Sequence, residues 1–280
     1  MNDPQVAVVT GGASGIGLAL GRAFAARGAA VSLADVEADA LDEAVESIVS
    51  GGGRAIGSVV DVSDADAVTG LAARTAAELG PVDVVCNNAG VGVNGPAWKA
   101  SLADWRWVLD VNLWGVIHGV RAFVPAMVER GRGHVVNTAS LAGLVSYPEM
   151  GVYNVSKHAV VTLSETLWHE LKRDDTGVGV TVVCPGLVNT RIIEADRNRP
   201  DRLRSDDDQM TGSSEERRAA ARAVYDQAMS PDELAAIVLD AVDGDQLYVI
   251  PDDAYDHRLR QRHEAIAARR DPEVIRFPLT

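Results

Sequence analysis

The chain has 280 residues, which suits one large α/β domain, although its length alone would also allow two smaller ones. A hydrophobic fraction of 47% is enough for a substantial core, while a formal net charge of -14 disfavours binding to nucleic acid or to an anionic membrane. The two cysteines, Cys86 and Cys184, each end an apolar run, so we expect buried free thiols in a cytoplasmic protein rather than a disulfide or a metal site.

Neither a secretory signal nor a membrane span is predicted. The first apolar run begins within six residues of the N-terminus, without the basic region and longer apolar region of a signal peptide. No apolar run approaches the ~20 residues that a spanning helix needs. The sequence therefore predicts a protein that does not act in a membrane.

Short apolar runs alternate with helical patterns along the chain. Strands are predicted at residues 5–10, 29–35, 54–62, 82–87, 133–140, 178–186 and 246–251. Helices are predicted at residues 16–28, 37–52, 63–80, 101–130, 152–174 and 231–244, with an Arg-rich helix in the tail 252–280. Val-rich strands without clean alternation are typical of a parallel sheet covered on both faces. The alternation predicts a single α/β domain over residues 1–280, with a doubly wound parallel sheet of about seven strands and helices on both faces.

The first predicted strand is followed by a glycine-rich turn, TGGASGIG at residues 10–17. Glycine lets such a turn tighten and lets the backbone approach a ligand closely, and the helix start offers free N–H groups to a pyrophosphate. An ordinary glycine-rich turn is the alternative, but the strand before and the helix after argue against it. The predicted cofactor-binding residues of this turn are Gly11, Ser14, Gly15, Ile16 and Gly17.

Asp35 ends the second predicted strand, 24 residues after Gly11. An acidic side chain at this position accepts hydrogen bonds from the adenosine ribose hydroxyls and repels a 2′-phosphate. No Arg or Lys occupies positions 12–14 or 36, where it could attract that phosphate. The sequence therefore predicts NAD rather than NADP, the alternative being that Asp35 is a surface turn residue.

The next two strand ends supply further candidate contacts. Asp61 and Val62 end the third predicted strand, where a carboxylate and the backbone could meet the adenine. The sequence NNAG at residues 87–90 ends the fourth, and Asn88, Ala89 and Gly90 are predicted to border the cofactor. For Asn87 a structural role is at least as well supported as a ligand contact.

A phenol, an ammonium and a hydroxyl converge in the middle of the chain. Tyr153 and Lys157 lie four residues apart, which puts both side chains on one helix face about a turn from each other. Ser140 lies thirteen residues before Tyr153, after an apolar run that is predicted to be a strand. The lysine charge would stabilise the phenolate, so the three residues predict a proton-transfer site.

Taken in order, these motifs resemble the short-chain dehydrogenase/reductase family. The matching motifs are TGGASGIG at 10–17, NNAG at 87–90, Asn112, Ser140, YNVSK at 153–157, and Pro185-Gly186 followed by Thr190. The resemblance covers about residues 5–250, and six motifs in order are far more specific than any one of them. It implies a Rossmann fold.

The resemblance also implies a catalytic tetrad of Asn112, Ser140, Tyr153 and Lys157. Tyr153 would act as general base on an alcohol or as general acid on a ketone, and Ser140 would hold the substrate oxygen. Lys157 would bind the nicotinamide ribose and lower the pKa of Tyr153. Asn112 would anchor a water that relays protons toward Lys157.

Beyond the sixth predicted strand the family pattern places the nicotinamide end of the cofactor. Pro185, Gly186 and Val188 would pass near the ring, and Thr190 would reach its carboxamide. The segment 187–229 usually covers the substrate in this family. Its dense charge here fits either a mobile lid or a disordered stretch.

Two features of the whole assembly stay open at this stage. The C-terminal extension, residues 252–280, could cover the active site, cross to a neighbouring subunit or be solvated. Family members commonly pair the long helix and the Tyr153 helix across an interface, so a homodimer or homotetramer is expected.

The leading interpretation is an NAD-dependent oxidoreductase that interconverts a secondary alcohol and a ketone. The residues expected to line a small-molecule substrate are mostly apolar, which favours a hydrophobic or cyclic compound; they are Val91, Val93, Leu141, Ala142, Leu144, Val145 and Met150. One alternative is a 3-oxoacyl-thioester reductase, against which Asp35 argues because such enzymes usually take NADPH. Another is a non-catalytic dinucleotide sensor on the same fold, against which the complete tetrad argues.

Overall fold

A computed structural model describes residues 5–204 and 215–275. The strands are β1 Val6–Thr10, β2 Ala30–Asp35, β3 Arg54–Val59, β4 Val84–Asn87, β5 Gly133–Thr138, β6 Val178–Val183 and β7 Tyr248–Val249. The α-helices are α1 Gly15–Ala26, α2 Ala38–Ser50, α3 Ala65–Glu78, α4 Leu102–Leu109, α5 Gly115–Arg130, α6 Gly151–Arg173, α7 Glu215–Tyr225, α8 Pro231–Asp243 and α9 Asp256–Ala267. Part of the segment predicted as a lid, residues 205–214, lies outside the described residues.

The strands form one parallel sheet in the order β3-β2-β1-β4-β5-β6-β7. The chain moves outward from β1 to β3 and then returns to place β4 on the other side of β1. Loops at the carboxyl ends of β1 and β4 therefore diverge and leave a crevice between them, which is where open α/β sheets bind ligands. The predicted fold class, a doubly wound parallel sheet, is confirmed.

Apolar side chains cover both faces of the sheet. On β1, Ala7 and Val9 pack with α1, α2 and α8, and Val6 and Val8 pack with α3, α5 and α6. All five β1 residues are buried. A strand enclosed on both sides has no polar face to present, which is why the Val-rich runs lack alternation.

The helix predicted over residues 101–130 is interrupted by one wider turn. α4 begins with a capping box in which Ser101 and Asp104 bond each other's backbone, and a π-helical turn, Asp110–Trp114, joins it to α5. The helix runs on through Pro125 to Arg130, so Pro125 does not end it. π-turns are rare and are enriched at functional sites, and this one carries Asn112.

By length and composition alone, the continuous helical stretch Leu102–Arg130 could cross a membrane. In this fold Asn112, Phe123 and Met127 on that stretch are buried against the rest of the domain. The core helix of a soluble protein meets the same criterion, so the stretch is weak evidence for a span.

The structure shortens several predicted elements. β3 ends at Val59, because the Asp61 carboxylate accepts the Ser63 N–H at 2.9 Å and turns the chain. Within the described part of the tail, a 3-10 turn at Asp253–Tyr255 precedes α9, and Pro272 disfavours helical geometry at the residue before it. Within the described part of 187–229, short 3-10 turns at Ile192–Asn198 and Asp201–Leu203 precede α7.

Candidate active site

In the glycine turn after β1, segments of backbone approach each other closely. Gly11 has φ of +65°, and a side chain there would lie 2.9 Å from the Cα of Ala89. At Gly17 a Cβ would lie 2.0 Å from the carbonyl oxygen of Gly11. The Ser14 side chain makes no capping hydrogen bond to α1, so the N–H groups of the first turn remain available to a phosphate.

Thr10 fastens the loop after β4 to this turn. Its hydroxyl accepts hydrogen bonds from the N–H groups of Asn88 and Ala89, at 2.9 and 3.1 Å. Asn88 in turn donates to the Thr10 carbonyl at 3.0 Å and accepts from the Thr138 hydroxyl at 3.2 Å. Asn88 therefore joins β1, β4 and β5, while Asn87 donates to Asn137 at 2.9 Å in the structural role the sequence allowed.

Asp35 lies at the carboxyl end of β2, beside the glycine turn. One carboxylate oxygen accepts the Ala13 N–H at 3.0 Å and the other the Glu37 N–H at 3.1 Å. Each oxygen has a second lone pair, so these bonds orient the carboxylate and leave it able to accept a ribose hydroxyl. The side chain is thus suitably fixed for the predicted contact.

Asp61 and Val62 are already engaged within the protein. Besides turning the chain at Ser63, this stretch presents the Val62 carbonyl to His118 Nδ1 at 2.9 Å. The Val62 side chain is buried, and a Cβ on Gly115 would come within 2.7 Å of it. These contacts are structural, and the adenine contact stays a prediction.

Two arginines from a distant segment approach the β2 side of the crevice, which local inspection of the sequence missed. Arg197 donates to the Glu37 carboxylate at 2.7 Å, Asn198 donates to the same oxygen at 2.9 Å, and Arg191 lies 4.0 Å away. Although burial raises the pKa of the Glu37 carboxyl, these hydrogen bonds and charges hold it below the usual value. The Glu37 charge therefore offsets the cations near Asp35.

Ser140, Tyr153 and Lys157 meet at the carboxyl end of β5. The Ser140 hydroxyl is within hydrogen-bonding reach of the Tyr153 phenol and accepts the Ala142 N–H at 3.1 Å. Lys157 Nζ donates to the Thr138 carbonyl at 2.8 Å and lies 5.6 Å from the centre of the Tyr153 ring. The structure brings the three predicted catalytic residues together.

Burial is the largest cause of the pKa shifts of Tyr153 and Lys157. It raises the pKa of Tyr153, as does the neighbouring Tyr225, while the Ser140 hydrogen bond lowers it. Burial also lowers the pKa of Lys157 to about 8. Lys157 still carries its proton at pH 7, so a cation stands beside a phenol that would otherwise resist ionisation.

Asn112 is completely buried on the π-turn. Its Oδ1 accepts the Val91 N–H at 2.8 Å, and its Nδ2 donates to the Val91 carbonyl at 2.9 Å and to Ser156 Oγ at 3.1 Å. The side chain therefore ties the loop after β4 to α6. Its predicted part in a water relay stays a prediction.

Gly90 keeps the space between the tetrad members open. A Cβ at this position would lie 3.5 Å from Asn112 Oδ1 and 3.5 Å from Lys157 Nζ. The crevice thus has this open space together with the glycine turn, the uncapped start of α1 and the Asp35 carboxylate. These are the features that a dinucleotide requires. The residues present therefore fit a nicotinamide cofactor.

The stretch after β6 lies against both the glycine turn and the tail. Thr190 Cγ2 would be 3.1 Å from a Cβ on Gly15, and Val188 forms a bridge with Met229. Pro185 accepts hydrogen bonds from Leu141 N–H, and from the Ser140 hydroxyl at 3.5 Å. The predicted nicotinamide contacts thus lie next to Ser140.

A cavity of about 450 Å³ opens beside this stretch. Its walls are residues 186–188, the end of α7, residues 227–229, Pro251, and Asp252 and Tyr255 of the C-terminal extension. By contrast, the predicted substrate contacts Val91 and Val93 are buried in a cluster with Trp107, Val108, Val152 and Ala195. The sequence left open whether the extension covers the active site, because it carries no motif, and four of the chain's five tyrosines flank this region.

Among the described residues, no group of three or more His, Cys, Asp or Glu side chains could hold a metal ion. Cys86 and Cys184 are free and buried, as predicted, and burial raises the pKa of Cys184 to about 12.

Comparison with known proteins gives a consistent result. The model of the short chain dehydrogenase family matches residues 5–201. The chain is 36% identical over 267 residues to 1-deoxy-11-beta-hydroxypentalenate dehydrogenase of Streptomyces arenae, covering 94% of this chain and 87% of that protein. It is 34% identical over 266 residues to C alpha-dehydrogenase of Sphingobium sp., covering 94% and 85%.

Solved structures give the same picture. A short-chain dehydrogenase/reductase from Burkholderia phymatum, in complex with NAD, superposes with a TM-score of 0.93 at 40% identity and covers 98% of each chain. The apo form of LigD from Sphingobium sp. superposes with a TM-score of 0.78 at 30% identity, covering 96% of this chain and 98% of that one.

Proposed function

The chain belongs to the short-chain dehydrogenase family and is an oxidoreductase acting on CH–OH groups; we propose that it uses NAD to interconvert a hydrophobic or cyclic secondary alcohol and its ketone. The observation that carries the proposal is the grouping of Ser140, Tyr153 and Lys157 at the carboxyl edge of the sheet, beside the glycine turn and Asp35. The grouping supplies acid–base chemistry, and the turn supplies a dinucleotide site.

In this proposal the bound cofactor supplies the hydride acceptor, and the protein supplies proton transfer and orientation. Ser140 holds the substrate oxygen through its hydroxyl. Tyr153 Oη removes the proton of the alcohol, and the Lys157 ammonium stabilises the resulting phenolate. Asn112 positions the Val91 loop and α6 around them.

The preference for NAD rests on Asp35 and its surroundings. Asp35 is oriented by two backbone N–H groups at the end of β2, where a 2′-phosphate would meet its charge. The nearby Arg197 is held by Glu37, which limits its availability to a phosphate. The NAD bound to the Burkholderia relative is consistent with this preference.

The proposed substrate class follows from the apolar walls of the cavity and from the relatives. Leu187, Val188, Val224 and Met229 are among the apolar residues that line it. The Streptomyces relative is named for a cyclic hydroxy acid, pentalenate. A ring-containing alcohol suits a cavity of this size.

We also propose that the enzyme is a cytoplasmic homodimer or homotetramer. Trp114 on the π-turn and Val155 on α6 are large apolar residues that remain exposed, and they lie on the two helices expected to pair. The buried free thiols suit a reducing compartment.

A panel of cyclic secondary alcohols, followed by NADH absorbance, tests the proposal. We expect Tyr153→Phe to lower kcat about 10³-fold, because the proton acceptor is lost. Tyr248→Phe is the matched control, since Tyr248 is 40% exposed and bonds Glu165 instead. Full activity in Tyr153→Phe would refute the mechanism.

The same panel tests the cofactor preference. Turnover should be at least tenfold more efficient with NAD than with NADP, as roughly expected for one repelled phosphate. In Asp35→Ser this ratio should fall toward unity. A wild-type enzyme that prefers NADP would overturn the role given to Asp35.

A further inference from the structure

The C-terminal extension contributes a wall of the cavity beside the predicted nicotinamide contacts. Pro251, Asp252 and Tyr255 face residues 186–188 across it. This wall lies between β7 and α9, in a part of the chain that the family match, residues 5–201, does not reach. The family model therefore says nothing about the residues of this wall.

Tyr255 reaches close to the catalytic loop. Its Cε2 would lie 3.2 Å from a Cβ on Gly186, and Leu141 Cδ1 would lie 3.3 Å from the same point. Leu141 directly follows Ser140. The absence of a side chain at Gly186 thus lets the Tyr255 ring approach the loop that carries a catalytic hydroxyl.

Other tyrosines surround the same space. Tyr225 at the end of α7 is close enough to Tyr153 to raise the pKa of that phenol. Tyr255, in turn, is close enough to Tyr225 to raise the pKa of Tyr225. Tyr147 has its pKa raised by burial and by Tyr255. The extension is therefore close to Tyr225, which is itself a neighbour of the reacting phenol.

Asp252 gives the cavity its charge. Its Oδ1 accepts the Ala254 N–H at 2.9 Å, which fixes the side chain, and its Oδ2 would lie 3.5 Å from a Cβ on Gly186. The other described residues that line the cavity are uncharged. A substrate carboxylate brought into this space would meet a fixed carboxylate, and none of the described lining residues is a cation that would offset it.

From this geometry we propose that Asp252 and Tyr255 are specificity-determining residues, which select neutral ring-containing alcohols over alcohols that carry a carboxylate. The inference rests on the proposed function and narrows its substrate class. Tyr255 provides a flat apolar surface for the ring, and Asp252 rejects a negative group while accepting a hydroxyl or amide N–H. The Streptomyces relative is named for an acid, so the two enzymes would differ in this choice.

A matched pair of substrates tests the role of Asp252. The pair is a bicyclic hydroxy acid and its primary carboxamide, which share skeleton and shape and differ in charge. We expect wild-type kcat/KM to favour the carboxamide by about tenfold, and Asp252→Asn to reduce that ratio about fivefold, as expected for removal of one nearby charge. Asn keeps the acceptor for Ala254 N–H, and Asp253→Asn at the exposed neighbouring position is the control that should leave the ratio unchanged.

Tyr255 is tested by substrate size. Tyr255→Ala should lower kcat/KM for the bicyclic carboxamide about tenfold relative to cyclohexanol, since a large apolar contact is lost, and Tyr255→Phe should recover most of that loss. The effect should fall mainly on KM, because the ring binds substrate and does not transfer protons. Equal losses on both alcohols would contradict the proposal, as would a carboxamide-to-acid ratio near one in the wild type.

Calorimetry separates this inference from the proposed function. The two corresponding ketones are titrated into the enzyme with NAD⁺, with which they cannot react, and the ratio of their Kd values is compared between the wild type and Asp252→Asn. A carboxamide preference that Asp252→Asn removes supports the inference even if no alcohol yields NADH, an outcome that would refute only the proposed function. NADH formation with no change in either ratio would overturn the inference alone.

Discussion

Two buried basic side chains lie near opposite ends of β5, and their protonation states differ. At the carboxyl end of β5, Lys157 Nζ donates to the Thr138 carbonyl at 2.8 Å. Near the amino end, His134 Nε2 bonds the Thr181 hydroxyl at 2.8 Å, which itself donates to the Gln246 carbonyl. Burial is the largest cause of a lowered pKa in both, to about 8 for Lys157 and to about 4 for His134.

The difference lies in where each lowered pKa falls relative to neutral pH. Lys157 stays charged at pH 7 and has open space toward Gly90 and Tyr153. His134 is neutral, and a Cβ on Gly179 would lie 2.4 Å from its Nδ1, so it is enclosed. The carboxyl edge of the sheet therefore keeps Lys157 charged at a cost in stability. Near the amino edge, His134 is buried in its neutral form.

The largest expected effect comes from removing the charge at the carboxyl edge. Lys157→Met should lower kcat about 10³-fold, because the Tyr153 phenolate loses its cation. At pH 7 the free energy of unfolding should not fall. The folded pKa of about 8 lies below the ordinary 10.5, so the unfolded chain binds the proton more tightly and Lys157 destabilises the fold below pH 8.

Enzyme assay and urea unfolding measure both halves of this prediction. Lys172→Met is the control, since Lys172 lies on the same helix but is largely solvated and pairs with Asp245. An unfolding free energy more than about 2 kcal/mol lower in Lys157→Met would mean that Lys157 stabilises the fold, contrary to the cost of burying its charge.

The second-largest expected effect comes from breaking the buried ion pair between Arg199 and Asp104. Arg199 Nη1 lies 2.8 Å from the Asp104 carboxylate, and the guanidinium stacks 5.2 Å from the Trp107 ring centre. Arg199→Ala leaves Asp104 buried without this cation, so we expect a loss of about 3 kcal/mol in urea unfolding. Arg204→Ala, which breaks exposed pairs with Asp196 and Asp201, should cost under about 1 kcal/mol.

A double variant checks the cause. Adding Asp104→Asn to Arg199→Ala should restore part of the lost stability, because the uncompensated charge is removed. If the double variant is less stable than Arg199→Ala alone, packing rather than charge accounts for the loss.

The smallest of the three effects is the contribution of His134, near the amino end of β5, to the pH dependence of stability. Between pH 7 and pH 5 the unfolding free energy should fall by about 2 kcal/mol on account of His134, because its pKa rises from about 4 to the ordinary 6.5 on unfolding. The unfolded chain binds the proton first as pH falls through 6.5, and the stability is lost down to about pH 4. Chemical unfolding at the two pH values measures the difference.

His134→Gln should remove most of that pH dependence, since glutamine keeps a donor for Thr181 and does not titrate. His263→Gln, at an exposed position of α9, should leave it intact. An unchanged pH dependence in His134→Gln would assign the loss to other groups.

The sequence predicted those parts of the molecule in which local spacing determines the outcome. The spacing of Tyr153 and Lys157 places them on one helix face, and a glycine turn between a strand and a helix places free N–H groups at the crevice. Helix periodicity did not reveal the π-turn at Asn112, because one extra residue in a turn changes the apolar pattern very little.

Contacts between distant segments were beyond such prediction. The absence of Arg or Lys at positions 12–14 and 36 did not reveal Arg197, which approaches Glu37 from 160 residues away. Val91 and Val93 were expected to line the substrate site, but α4 packs over them, and α4's position depends on tertiary contacts. Asp252 and Tyr255 join the cavity only because β7 delivers the tail to the same edge as β6.

The chain from Arg197 to Arg199 has two attachments that will respond differently to ionic strength. At the α2 end, Arg197 and Glu37 are 26% and 24% exposed, so dissolved ions can reach them; at the α4 end, Arg199 and Asp104 are 0% and 1% exposed. The Debye length shrinks from about 8 Å at 0.15 M salt to about 3 Å at 1 M, which weakens solvated pairs first. Rising salt therefore loosens this stretch from the β2 side of the crevice while α4 retains it.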